Sequence, residues 1–215
     1  MKVIYVSLFF LFLFSCVEIL VKKFKLNKEL SRKFIHISVG ILIAFLPFYM
    51  SFYSLAILGV IFIPVMFLSK NKNILTSIHH VSRKTYGEIY FPLSIVITAL
   101  FFPIRYVFIY AILIMAISDG FASVVGQKYA RKTYSILKSQ KSYVGSFTFF
   151  ALSLIIGIFV LYSLNIENTA ISFLISFICA AILTIVEGAL SYGLDNLLIP
   201  PLAALLLEIA VKTIK

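Results

Sequence analysis

Tryptophan is absent from this 215-residue chain, cysteine occurs twice, and only eight residues are acidic. Charge of either sign is scarce: 13% of residues are Asp, Glu, Lys or Arg, against ~25% in soluble domains. With 62% hydrophobic residues and a mean hydropathy of +1.08, that scarcity excludes an ordinary soluble domain. What is left is one integral membrane domain over 1–215, with no length for a soluble module beside it. Nucleic-acid binding is therefore not expected, despite a net charge of +11. The missing tryptophans remove part of the usual aromatic belt and leave tyrosine to serve at the interfaces. Cys16 and Cys179 lie in apolar runs without metal-ligand spacing, so neither a disulfide framework nor a cysteine metal site is expected. Both are expected to be buried and inert.

Long apolar runs are what the chain does have. A spanning helix needs ~20 apolar residues. Candidate spans are 3–21, 36–51, 53–69, 88–103, 106–126, 145–164, 168–189 and 195–211. The fold class is all-α, a polytopic transmembrane bundle of seven or eight spans, eight being the better count. The first run exceeds the ~7–15 residues of a signal-peptide core, so it is read as a span. Pro200-Pro201 predict a break or kink in the last.

Basic residues orient the bundle. Lys22, Lys23, Lys25, Lys28, Arg32 and Lys33 lie between spans one and two. Lys70, Lys72, Arg83 and Lys84 lie between three and four, and Lys128, Arg131, Lys132, Lys138 and Lys141 between five and six. Opposite short loops carry only Arg105. The positive-inside rule makes the basic loops cytoplasmic and puts both termini of an eight-span chain outside. Topology and attraction to anionic headgroups account for Lys22, Lys23, Lys25, Lys70 and Lys72 without further function.

The acids are more telling. Glu167 falls in an outer loop, while Glu18 and Glu208 sit near span ends within i,i+4 reach of Lys22 and Lys212. Glu29, Glu88, Asp119, Glu187 and Asp195 fall at or near the cytoplasmic span ends. Asp119 follows a charge-free run from Tyr106 to Ser118. A carboxylate inside a span costs roughly 2.5–3.5 kcal/mol, so it needs a polar cavity, a metal or a partner. Carboxylates beside phosphate-binding bases suit Mg²⁺-dependent nucleotide chemistry. The plain alternative is a set of salt bridges holding helices together.

Four motifs carry these residues. In Glu29-Leu-Ser-Arg32-Lys33-Phe-Ile-His36, helical spacing aligns the acid, the bases and the imidazole along one face. Arg32 and Lys33 suit phosphate; His36 is either a proton carrier or a structural interfacial histidine. In Arg83-Lys84-Thr-Tyr-Gly87-Glu88, the acid ligates metal, fixes a base or simply favours a helix start. His79 and His80, just upstream, receive no role. Asp119, Ser123 and Gly126 share a face whose small residues admit either a packed helix or a ligand. Lys141-Ser142-Tyr-Val-Gly145-Ser146 then opens a span, where helix N–H groups suit phosphate. Finally, Glu187-Gly-Ala-Leu-Ser191-Tyr-Gly193-Leu-Asp195-Asn196 clusters two carboxylates and an amide between spans, before Pro200. Discontinuous membrane helices commonly line binding sites.

Together these motifs resemble the CTP-dependent lipid kinase family, which includes phytol kinase, dolichol kinase and the yeast-type diacylglycerol kinase. The matching pieces, in the family's order, are ELSRKFIH (29–36), GEIYFPL (87–93), DGFASVVGQKYA (119–130), KSYVGS (141–146) and EGALSYGLDNLLIP (187–200). The short chain is most similar to the phytol kinase branch. Ala130 departs from a glycine frequent in the family. The third motif also resembles phosphatidate cytidylyltransferases, but their terminal Lys-Arg pair is missing after Asp195.

The resemblance implies transfer of the γ-phosphoryl of CTP to a membrane alcohol: phytol, geranylgeraniol, a dolichol-like polyprenol or diacylglycerol. It implies Mg²⁺ on Asp119, Asp195 and Glu187. The triphosphate would be neutralised by Arg32, Lys33 and Lys141 and cradled by Ser123, Gly126, Ser142 and Gly145. A carboxylate or His36 would accept the hydroxyl proton. Glu29, Glu88, Ser191 and Asn196 complete the expected polar site. A CDP-lipid-forming enzyme is the alternative. An ion-coupled transporter is disfavoured, because no inverted repeat is visible and the acids avoid the midplane.

Overall fold

The computed structural model describes residues 1–25, 27–72, 74–76, 85–137, 139–164, 166 and 169–214. His79, His80, Arg83, Lys84, Lys138 and Glu167 lie outside the described residues. Eight helices are described: α1 (Lys2–Phe24), α2 (Lys28–Phe45), α3 (Phe52–Asn71), α4 (Gly87–Phe101), α5 (Arg105–Tyr129), α6 (Tyr143–Ser163), α7 (Thr169–Ala189) and α8 (Asp195–Ile214). Seven of them are long and apolar enough to cross a membrane; α4 is a shorter apolar helix of 15 residues. The protein is an integral membrane protein.

Local sequence sets the helix ends. Lys25 ends α1 in the left-handed region at φ 49°, and Asn27 caps α2 by accepting from Glu29 and Leu30 N–H. Ser51 caps α3 and Ser142 caps α6 through their hydroxyls. Glu18 and Glu208 pair with Lys22 and Lys212 one turn on, as their spacing predicts. Cys179 is buried, but Cys16 is only half-buried on the outward helix α1, contrary to expectation.

The helix α5 is the axis of the bundle. Val107, Phe108, Ala111, Ile112, Ile114, Met115 and Ala116 are wholly inaccessible, with α2, α6 and α8 packed around them. By contrast α1 buries a stripe four residues apart, Val6, Phe10, Phe14 and Glu18, and turns Ile4, Leu8, Phe12 and Ile19 outward. The charge-free run before Asp119 is thus enclosed by protein, not lipid.

Three features depart from the sequence reading. First, α8 runs unbroken through Pro200 and Pro201. Their missing N–H groups leave the carbonyls of Asn196 and Leu197 without helical donors, yet packing keeps the helix continuous. The real interruption is the tight turn 190–194 before it. Gly193 in that turn has φ +88°, and a Cβ there would lie 2.4 Å from Gly87 N, so only glycine fits. Second, residues Ile114–Asp119 form a π-helical segment inside α5. Third, the basic loop after α5 is a hairpin, β1 (Thr133–Ile136) pairing antiparallel with β2 (Ser139–Ser142).

The crossing of α5 and α6 is built on Gly126 and Gly145. A Cβ on either would approach the other's Cα to 3.4 Å and the Ser142 hydroxyl to 2.8 Å. Gly126→Ala is therefore expected to destabilise the protein by about 1–3 kcal/mol, measurable as a lower Tm in detergent. An unchanged Tm would show that the crossing tolerates separation.

Candidate functional site

The first part of α2, the turn that joins α7 to α8, the hairpin and the π-helical part of α5 meet around one polar cavity. There α2 presents Lys33 and His36 to Asp119. The Lys33 ammonium lies 3.1 Å from Asp119 Oδ2, with both side chains almost fully buried. His36 Nε2 stands 4.0 Å from the same oxygen and 3.2 Å from the Met115 carbonyl. A π-helical segment offsets the backbone bonding of α5 here, and such segments recur at functional sites. Donation from Nε2 to Met115 leaves Nδ1 as the acceptor nitrogen.

A second cluster forms opposite. Lys141 stands directly across the hairpin from Tyr134, so both side chains share one strand face. The Tyr134 hydroxyl hydrogen-bonds Ser146, anchoring the hairpin on the start of α6. Lys141 then reaches Glu187 at the end of α7 and, at 3.6 Å, Asp195 at the start of α8. Burial alone pushes the Lys141 ammonium down. Glu187, Asp195 and Asp119 outweigh it and hold the group above the ordinary lysine value. Its three carboxylate neighbours thus favour the ammonium form of Lys141.

Asn196 donates to the Gly87 carbonyl at 2.9 Å, which ties α8 to the start of α4. Glu88 pairs with Lys70, and Lys70 also donates to the Thr85 carbonyl. Glu29 lies at the periphery, accepting from Gln127 at 3.0 Å; the same amide donates to Ser123 at 3.2 Å. Ser142 accepts from Gly145 N–H at 3.0 Å, so that helix-terminal donor already has a partner. Gly126 and Gly145 cover one another at the helix crossing, the packing role their size allows.

The three acids expected to share a metal do not converge as one ligand set. Among the described residues no three Asp, Glu, His or Cys side chains group in metal-binding geometry. Lys33 occupies Asp119, and Lys141 occupies Glu187 and Asp195. Yet Glu187 Oε2 is buried with no hydrogen-bond partner among the described residues.

Three adjoining cavities connect these groups. A polar cavity of about 390 Å³ is lined by Arg32, Lys33, His36, Asp119, Lys141, Ser191, Asp195 and Asn196. Beside it, about 320 Å³ is bounded by Ser123, Gly126, Gln127, Ser142, Gly145, Ser146 and Glu187, with Lys33, Asp119, Lys141 and Asp195 as the shared wall. On the other side an apolar groove runs between α1, α2, α3 and α4, and Arg32, His36 and Asn196 line both it and the polar cavity. Sequence reasoning gave no role to Lys70, Gln127, Tyr134 or the Met115 carbonyl. Gln127 lay inside a quoted motif, and Lys70 was explained by topology alone. Nothing local marked Tyr134 or Met115.

No family model matches the chain, and no solved structure matches it. It is 32% identical over 186 residues to the phytol kinase of Synechocystis sp. (strain ATCC 27184 / PCC 6803 / Kazusa), covering 83% of this chain and 78% of that protein. At that identity and coverage, with an apolar groove leading to a buried charged site, the chain belongs to the phytol kinase family of lipid kinases.

Proposed function

We propose that this protein transfers the γ-phosphoryl group of CTP to the hydroxyl of a membrane isoprenoid alcohol, giving the lipid monophosphate and CDP. Phytol, geranylgeraniol and polyprenols are the alcohol class. The observation that carries this reading is the continuity of the apolar groove with the polar cavity, through Arg32, His36 and Asn196. A lipid tail lying in the groove brings its hydroxyl to His36. The cavity beyond, edged by small residues, takes the nucleotide. The basic loops are proposed to face the cytoplasm, where nucleotides are found, with the N-terminus outside.

The chain's own groups supply positioning and charge, which phosphoryl transfer chiefly requires. Arg32, Lys33 and Lys141 neutralise the triphosphate. His36 Nδ1 accepts the hydroxyl proton as the alcohol oxygen attacks the γ-phosphorus. The bond from that phosphorus to the β-phosphate oxygen breaks, and CDP leaves. Asp119 holds Lys33 and stands beside His36, a positioning role.

Mg²⁺ is proposed to bind with the nucleotide. Glu187, through its unpartnered oxygen, and Asp195 would hold it, since this ion commonly takes one or two carboxylates plus phosphate oxygens. When bound it would supply charge neutralisation to the β- and γ-phosphates.

The test is lipid phosphorylation in membranes containing the protein, comparing γ-labelled CTP and ATP with phytol, geranylgeraniol, a polyprenol and diacylglycerol. Label is expected to enter an isoprenoid alcohol from CTP, in a Mg²⁺-dependent manner. Pyrophosphate release with formation of a CDP-lipid would overturn the kinase reading.

A further inference from the structure

Of the four residues of β1, only Tyr134 is half-buried; Thr133, Ser135 and Ile136 are exposed. Three contacts hold that one side chain. Its hydroxyl hydrogen-bonds Ser146 in the first turn of α6. Its ring leans on that of Tyr143, with centroids 5.0 Å apart and planes at 51°. Its phenol end lies against Gly188 near the end of α7, where a Cβ would stand 2.8 Å from the phenol oxygen. A larger residue at 188 therefore displaces the phenol. One residue thus fastens the strand to two helices, and that residue is the cross-strand partner of Lys141. Such partners stand roughly 4.5–5.5 Å apart at Cβ, so a shift of one moves the other. Gly188 also follows Glu187, the carboxylate that Lys141 grips. Of the described hairpin residues, Lys141 lines both polar cavities and Tyr134 lines neither.

We propose that Tyr134 is a positioning residue for the nucleotide, seating the hairpin between α6 and α7 and so setting the reach of Lys141 to the triphosphate. Gly188 is the seat. Tyr134 acts through Lys141 and not by touching the nucleotide. The inference rests on the function proposed above. It accounts for how a hairpin whose first strand is otherwise exposed holds its charge beside acids of two further helices.

The experiment measures the KM for CTP and for geranylgeraniol in lipid phosphorylation. Tyr134→Phe keeps the ring and removes the hydroxyl. It should raise the CTP KM roughly 3–10-fold, the worth of one hydrogen bond, and leave the alcohol KM unchanged. In a Lys141→Met background the same substitution should add nothing, because effects that pass through one residue are not additive. Gly188→Ala should raise the CTP KM by a similar factor. Adding Tyr134→Phe to it should suppress the clash, so that the double variant matches Tyr134→Phe alone. If Lys141→Met does not fold, Ser146→Ala removes the other end of the same hydrogen bond. It should match Tyr134→Phe, and the two together should match either alone.

An unchanged CTP KM in Tyr134→Phe overturns the role and leaves the kinase reading intact. So does an undiminished effect of Tyr134→Phe in the Lys141→Met background, or an additive one beside Ser146→Ala. A wild type that phosphorylates no alcohol refutes the function proposed above, and the role of Tyr134 with it.

Discussion

Asp119→Asn is expected to lower lipid phosphorylation by roughly 10³-fold, the scale of removing one preorganised charge from a buried site. It should also lower stability, because Lys33 would remain buried without its counter-charge. Breaking a buried pair in this way costs about 3–5 kcal/mol. The two effects separate in Lys33→Met/Asp119→Asn. Replacing both partners by uncharged groups is often nearly neutral, so the double variant should regain thermal stability in detergent while remaining inactive. Retained turnover in the single variant would remove Asp119 from the mechanism. Recovery of both stability and turnover in the double variant would reduce the pair to a helix-holding salt bridge.

Lys141→Met should have the second largest effect. Glu187 and Asp195 share Lys141, one by direct pairing and the other at 3.6 Å. Without the ammonium, two buried or half-buried carboxylates face the same cavity uncompensated, again at about 3–5 kcal/mol. The nucleotide KM should rise at least tenfold, roughly the value of one charge-assisted contact to phosphate. Wild-type pH behaviour offers a separate check. A group whose folded pKa is raised contributes stability that is complete below its unfolded value and is lost as pH rises through the folded one. Lys141 lies above the ordinary lysine value of 10.5, so its contribution should be complete below that value and lost only as pH rises above it, read as a falling Tm in detergent at alkaline pH. An intact nucleotide KM in Lys141→Met would exclude it from binding the triphosphate.

Much of the site was legible because its residues are chemically out of place. An acid after thirteen uncharged residues, or two acids between apolar runs, is conspicuous in a chain this poor in charge. Helical periodicity correctly placed Lys33 and His36 on one face, and the structure brings both to Asp119. Pairings were not legible, because partners such as Lys33 and Asp119 stand 86 positions apart. Nor does the sequence distinguish a proline that breaks a helix from one that packing carries, which is why α8 runs through Pro200 and Pro201. The hairpin escaped notice because its short polar strands lack the apolar alternation that marks a strand.

By itself, the sequence determined the membrane class, the eight helical segments and the concentration of most acids and bases toward one end of them. Those properties follow from composition and from period, which are local. Tertiary structure alone decided that α5 is the enclosed axis, so that Asp119 meets Lys33 and His36 and not lipid. It alone decided that Lys141 crosses from a hairpin to two other helices, and that an apolar groove opens beside His36. Each depends on which helices become neighbours, and that is settled by the fit of whole surfaces, such as the Gly126–Gly145 crossing, which no single segment contains.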